Sequence, residues 1–156
     1  MKKLVILTTS HLLFAVSGFV LGIYLLPILT APATPAAGQV AEAVSRAEFS
    51  GEFRRDLEGS DFFHWGEGTV SVGPEFVALE GRIAPGPDYR LYLSPEFVET
   101  EAEFERVKPQ MVKVGDVRVF ENFLVPVPET LDPGEFNTVV VWCEAFGEFI
   151  TSARYR

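Results

Sequence analysis

The chain has 156 residues, 47% of them hydrophobic, a formal net charge of −9 and a single cysteine. One cysteine excludes an intramolecular disulfide, and His64, the one histidine outside the apolar N-terminus, excludes a multi-histidine metal centre within one chain. There is no Gly-rich phosphate loop, no Cys-x-x-Cys and no Cys-x-x-Cys-His, which removes phosphate-cradling, thioredoxin-like exchange within one chain and covalent c-type haem attachment.

Met1-Lys2-Lys3 leads into an uncharged run from Leu4 to Leu29. As a helix it would measure about 39 Å, against a hydrocarbon layer of about 30 Å. We read residues 1–30 as an uncut transmembrane signal-anchor, because a cleaved signal has a shorter apolar region. Ala31-Pro32-Ala33 resembles a small-residue cleavage site and sets the competing reading. Lys2 and Lys3 place the N-terminus in the cytoplasm by the positive-inside rule. The expected location is therefore the inner membrane, single-pass, with the C-terminal part periplasmic. Gly18 and Gly22 form a Gly-x-x-x-Gly pair, the spacing that lets two membrane helices approach and dimerise. His11, beside Thr8, Thr9 and Ser10, reads as an interfacial neutral histidine.

Residues 31–46 read as a Pro/Ala-rich tether, with Pro32 and Pro35 stiffening it and Gln39 to Arg46 extending it as a short helix. All 22 acids lie from Glu42 onward, against 11 basic residues once Lys2 and Lys3 are set aside, so the exported part carries about −11. Such a surface repels nucleic acid and anionic headgroups, and no nucleic-acid partner is expected. Residues 47–156 have the length of one domain with one core.

Within that domain Phe49, Gly51 and Phe53 alternate as a first strand. Gly68–Val72 and Phe76–Leu79, joined through Gly73-Pro74, read as a hairpin. Gly86-Pro87-Asp88 is a turn, with Asp88 a turn former, and Tyr89, Leu91 and Leu93 line one face of the next strand. Ser94 as cap and Pro95 at the first helical position predict a helix carrying Phe97, Phe104 and Val107 and ending at Pro109. Its glutamates form a solvated face with no metal-ligand spacing. Val112 and Val114, then Gly115-Asp116, then Val117, Val119 and Phe120 predict a second hairpin. Thr138–Cys143 and Phe146–Ala153 close the chain as strands. The expected fold is mainly β: a β-sandwich or small open barrel with one short helix, preceded by a single transmembrane helix.

Val139-Val140-Val141-Trp142-Cys143 has no polar face and predicts a strand buried on both sides. Cys143 stands where that run ends, sealed in the core or facing a ligand. Trp142 reads as core, with an indole N–H that needs a partner. His64 reads as a strand-end histidine held by a backbone carbonyl, or as a ligand beside Trp65.

Val139–Cys143 with Phe146 and Ala153, Gly86-Pro87-Asp88-Tyr89 before Leu91-Tyr92-Leu93-Ser94, and His64 ahead of Gly68-Thr69-Val70 together resemble the electron-transfer DM-thirteen domain family. The resemblance runs from Ala47 to Tyr155, and Pro126 falls near the family's proline. The family's Gly-x-Gln-x-Tyr is replaced here by Glu121-Asn122-Phe123-Leu124-Val125. The resemblance implies a role in redox or electron transfer through Cys143, as a bare thiol or as a ligand to a group such as haem. His64 is the second residue it offers for cofactor binding, and a redox protein is the partner it implies. The competing expectation is a non-catalytic β-sandwich binding module at the cell envelope, with Cys143 buried and structural.

Overall fold

The computed structural model describes residues 1–156, in which eight strands form two antiparallel four-stranded sheets. One sheet holds β1 (Phe49–Phe53), β2 (Gly66–Val72), β3 (Phe76–Ile83) and β6 (Leu124–Pro126), in the order β1-β2-β3-β6. The other holds β4 (Tyr89–Ser94), β5 (Val112–Val117), β7 (Thr138–Cys143) and β8 (Glu148–Arg154), in the order β5-β4-β7-β8. The sheets stack as a sandwich rather than closing into a barrel, which decides between the two expected architectures.

Alternation along β7 explains why its sequence lacks a polar face. Val139, Val141 and Cys143 point into the main core between the sheets, among Val70, Leu79, Leu91 and Ile150. Val140 and Trp142 point the other way, into a second core with Tyr92, Phe149 and Phe104. That second core is roofed by α3 (Glu101–Val107), so the outer face of the sheet is covered and every β7 residue is buried. A bulge between β7 and β8 leaves Val141 opposite Thr151 and Trp142 opposite Phe149, so Ile150 has no partner of its own. The extra residue turns Ile150 towards the main core, a use of bulges common beside functional sites.

The N-terminal run forms α1 (Lys2–Thr30), 29 residues with none buried. It is long and apolar enough to cross a membrane. Gly18 and Gly22 lie on it with open space where a side chain would stand. Residues 31–36 are extended, and α2 (Ala37–Ser45) follows with Val40 buried. Arg46, just past it, pairs with Glu42 at 2.6 Å and Glu75 at 3.1 Å.

Two local expectations are corrected. The helix does not start at Ser94: that residue ends β4, opposite Thr138, and its hydroxyl bonds the backbone of Glu96. Strand pairing outcompetes the cap, and the helix begins after Thr100, whose hydroxyl accepts the Glu103 N–H at 3.3 Å. The Glu103 carboxylate in turn accepts the Glu99 N–H at 2.8 Å, so this glutamate has a role beyond a solvated face.

Gly115-Asp116 is not a hairpin turn either. Both residues lie inside β5, with Asp116 opposite Arg90 and Gly115 opposite Leu91. A side chain at Gly115 would stand 2.8 Å from Val125 Cγ1, so glycine is there for close packing. Residues Arg118–Phe120 leave the sheet, and β6 pairs with β3 instead, through Val77 opposite Val125.

Candidate functional site

Three connections meet at one end of the sandwich: the β1–β2 loop, the β3–β4 loop and the tight β7–β8 turn. With the C-terminal part of α1 they line a cavity of about 290 Å³ that opens to the surface on one side. Cys143, His64, Tyr89 and Ile150 line it from the domain, and Val20, Ile23 and Tyr24 line it from α1. The two residues singled out from the sequence, 79 positions apart, therefore border one space.

Register delivers Cys143. It is the last residue of β7 and lies opposite Tyr89, the first of β4. The Cys143 carbonyl accepts the Gly147 N–H at 2.9 Å, which closes the β7–β8 turn, and Gly147 takes φ +69° there. The residue is 2% exposed. Burial pushes its pKa above the ordinary thiol value, while the backbone N–H groups of Phe146, Ala145 and Asp88 pull against that shift. At neutral pH the group is a thiol, not a thiolate.

Tyr89 shapes the floor beside it. Its ring lies across Gly86, and any side chain at Gly86 would run into that ring. This is why the Gly86-Pro87-Asp88 turn carries a glycine as well as a proline. Burial, reinforced by the nearby Cys143, pushes the Tyr89 phenol well above its usual range, so it stays protonated.

His64 is held by Asp61 rather than by a backbone carbonyl. One Asp61 oxygen accepts the backbone N–H groups of Phe63 at 2.6 Å and His64 at 2.7 Å. The other lies 3.0 Å from His64 Nδ1. Burial alone would raise the Asp61 pKa, but the Phe63 and His64 bonds bring it below the usual carboxylate range. An ionised Asp61 on Nδ1 orients the ring and leaves Nε2 for a second partner. Next to it, Trp65 carries the Arg55 guanidinium over its face at 3.4 Å. Arg55 and Arg82 both bond Glu67 and hold its carboxyl below the usual range.

On the opposite face of β7, Trp142 stacks on Phe104 with ring centroids 3.9 Å apart and planes 9° from parallel. Lys108 Nζ lies 5.6 Å from the Trp142 ring and 3.2 Å from Glu144 Oε2. Glu144 also accepts the Tyr92 hydroxyl. The Trp142 indole N–H is buried and has no hydrogen-bond partner, contrary to expectation. Tight aromatic packing is the compensation the structure offers.

No group of three or more His, Cys, Asp or Glu side chains is arranged to hold a metal ion. Cys143 and His64 both border the cavity, and they are the side chains there that would offer a sulfur and an imidazole nitrogen to a haem iron.

Sequence reading passed over Asp61, Tyr89 and Tyr24 as site residues. Asp61, after Gly59-Ser60 and three residues before His64, carried the only usable signal, that of a side-chain-capped turn. Tyr89 was legible as core but not as a cavity wall, and Tyr24 as membrane helix only. No curated protein and no solved structure matches the chain. Residues 52–155, or 104 of the 156, match the family model described as Electron transfer DM13, and they include Cys143, His64 and the turn at Gly86. The chain thus belongs to the electron-transfer DM13 family, and carries ahead of its β-sandwich a helix long and apolar enough to span a membrane.

Proposed function

We propose that this is a membrane-anchored periplasmic domain that takes part in electron transfer through the bare thiol of Cys143. The observation that carries the reading is the shared cavity: the only cysteine and the only histidine outside α1 border the same partly open cleft. The partner is a redox protein presenting a disulfide. Cys143 gives up its S–H proton, its sulfur bonds one sulfur of the partner disulfide, and the other partner sulfur leaves and takes a proton to become a thiol. His64, with Nδ1 engaged by Asp61, supplies the imidazole that can carry that proton. Lys2 and Lys3 keep the N-terminus in the cytoplasm, α1 acts as an uncut signal-anchor, and Gly18 and Gly22 offer a face for pairing two such helices.

The test is oxidation of the native full chain in detergent. Mild peroxide or a small disulfide should convert Cys143 to a sulfenic acid or mixed disulfide, and Cys143→Ser should give neither. His64→Gln should slow the wild-type reaction without unfolding the protein. The depth of burial of Cys143 favours a second reading, a binding module whose cysteine is structural. A thiol that resists oxidant until the chain is unfolded would select that module. A Soret band in protein purified after haem supply would replace the bare thiol with a haem ligand.

A further inference from the structure

At the same end of the sandwich three large apolar side chains stand in the open. Phe62 is 85% exposed, Phe63 53% and Phe146 55%. Phe62 and Phe63 pack edge to face with ring centroids 5.0 Å apart, and Phe63 meets Tyr24 of α1 at 6.4 Å. A soluble surface has no reason to gather aromatic rings in this way, and such clusters mark contact sites.

The position of Tyr24 along α1 says what covers them. A hydrocarbon layer needs about 20 helical residues. Counted from Leu4, just past the two lysines, those residues end at Ile23. Tyr24 is then the first residue in the headgroup layer, the level at which tyrosine rings are favoured. The last six residues of α1 rise about 9 Å above it. Phe63, in contact with Tyr24, is held at the same level, and Phe62 and Phe146 flank it on the β1–β2 and β7–β8 loops. Only residues 31–36 separate α1 from α2, which is already seated on the sandwich.

We propose that this end of the sandwich docks on the outer surface of the bilayer that α1 spans. Phe62, Phe63 and Phe146 enter the headgroup layer, and the Cys143 cavity, walled also by Val20 and Ile23, is held at the boundary between the headgroup and hydrocarbon layers. The contact is apolar, so the acidic domain does not need anionic lipid to make it. The proposal rests on α1 as a membrane anchor but not on any reactivity of Cys143.

The test uses the full chain in phosphatidylcholine vesicles. Phe62→Trp places a reporter at a freely exposed position, and Phe76→Trp places one at the far end of the sandwich, where Phe76 begins β3. Relative to the parent protein, the emission added by Phe62→Trp should be blue-shifted, quenched by brominated phosphatidylcholine and spared by aqueous iodide. That added by Phe76→Trp should show the reverse. Phe62→Trp emission quenched by iodide and untouched by brominated lipid would overturn the docking while leaving the anchor intact. Release of the chain from the vesicles by alkaline carbonate would overturn the anchor and the docking together. Loss of Cys143 oxidation chemistry would touch neither.

Discussion

Trp142 and Cys143 are neighbours on one strand, yet they face opposite ways into different surroundings. Trp142 lies in a closed aromatic stack, pressed on Phe104 beneath α3 with Lys108 above. Cys143 lies at the rim of the main core, against a cavity whose other wall belongs to α1. Both are almost fully buried, at 1% and 2% exposure, so burial alone does not separate a packing residue from a candidate reactive one. What separates them is the space beyond the side chain. Trp142 is filled against on every side, while Cys143 has room in front of it and a polarised histidine across that room.

That contrast can be broken by substitution and by pH. The largest change is expected for Trp142→Ala. Removing a stacked core indole should cost about 3–5 kcal/mol in urea unfolding. A loss below that of Cys143→Ser would mean that the roles of the two faces are reversed. Second comes the pH response of the thiol. Burial raises its pKa, so labelling of native Cys143 by a maleimide should climb about tenfold per pH unit between pH 7 and 9 without levelling off. A plateau between pH 6 and 8 would instead reveal a stabilised thiolate. The linked effect on stability has a definite sign. The folded chain holds this proton more tightly, so its contribution is complete below about pH 8.5. It declines as the unfolded thiol ionises and is lost as pH rises through the folded pKa.

Smaller effects sharpen the same map. Cys143→Ser should destabilise the domain by about 1–3 kcal/mol, since a hydroxyl replaces a thiol at a covered site. A near-zero cost would indicate that the cavity is wet enough to satisfy it. Thr100→Ala removes the cap of α3, the roof over Trp142, and should cost about 1 kcal/mol. Glu105→Ala, exposed on that helix, should stay within about 0.5 kcal/mol. Thermal or urea unfolding of the four variants places them on one scale. A Thr100→Ala loss as small as that of Glu105→Ala would show that α3 does not depend on its cap.

Much of this molecule was legible in its sequence because the signals were local. Period-two alternation and turn residues marked β1, β2, β3, β4, β7 and β8, since a strand reports its two faces directly in side-chain chemistry. The unbroken charge-free run marked α1 for the same reason. The doubly buried character of Val139–Cys143 was also readable, although the second core that explains it was not. Signals failed where a distant partner decided. Ser94 and Pro95 have the chemistry of a helix start, but pairing of Ser94 with Thr138 holds them in a strand end. Gly115-Asp116 has the chemistry of a turn, but Val125 of the other sheet needs the space that a side chain would fill.

The sequence by itself determined the membrane-length helix, the β-rich domain, the single thiol and the strand that bears it, because each depends on neighbours a few residues away. Only the tertiary structure decided that Cys143 and His64 share a cavity and that Tyr24 of α1 meets Phe63. These are meetings between residues tens of positions apart, and no local spacing records them. They follow from strand register, from one bulged residue at Ile150, and from the short segment that lays the domain against α1.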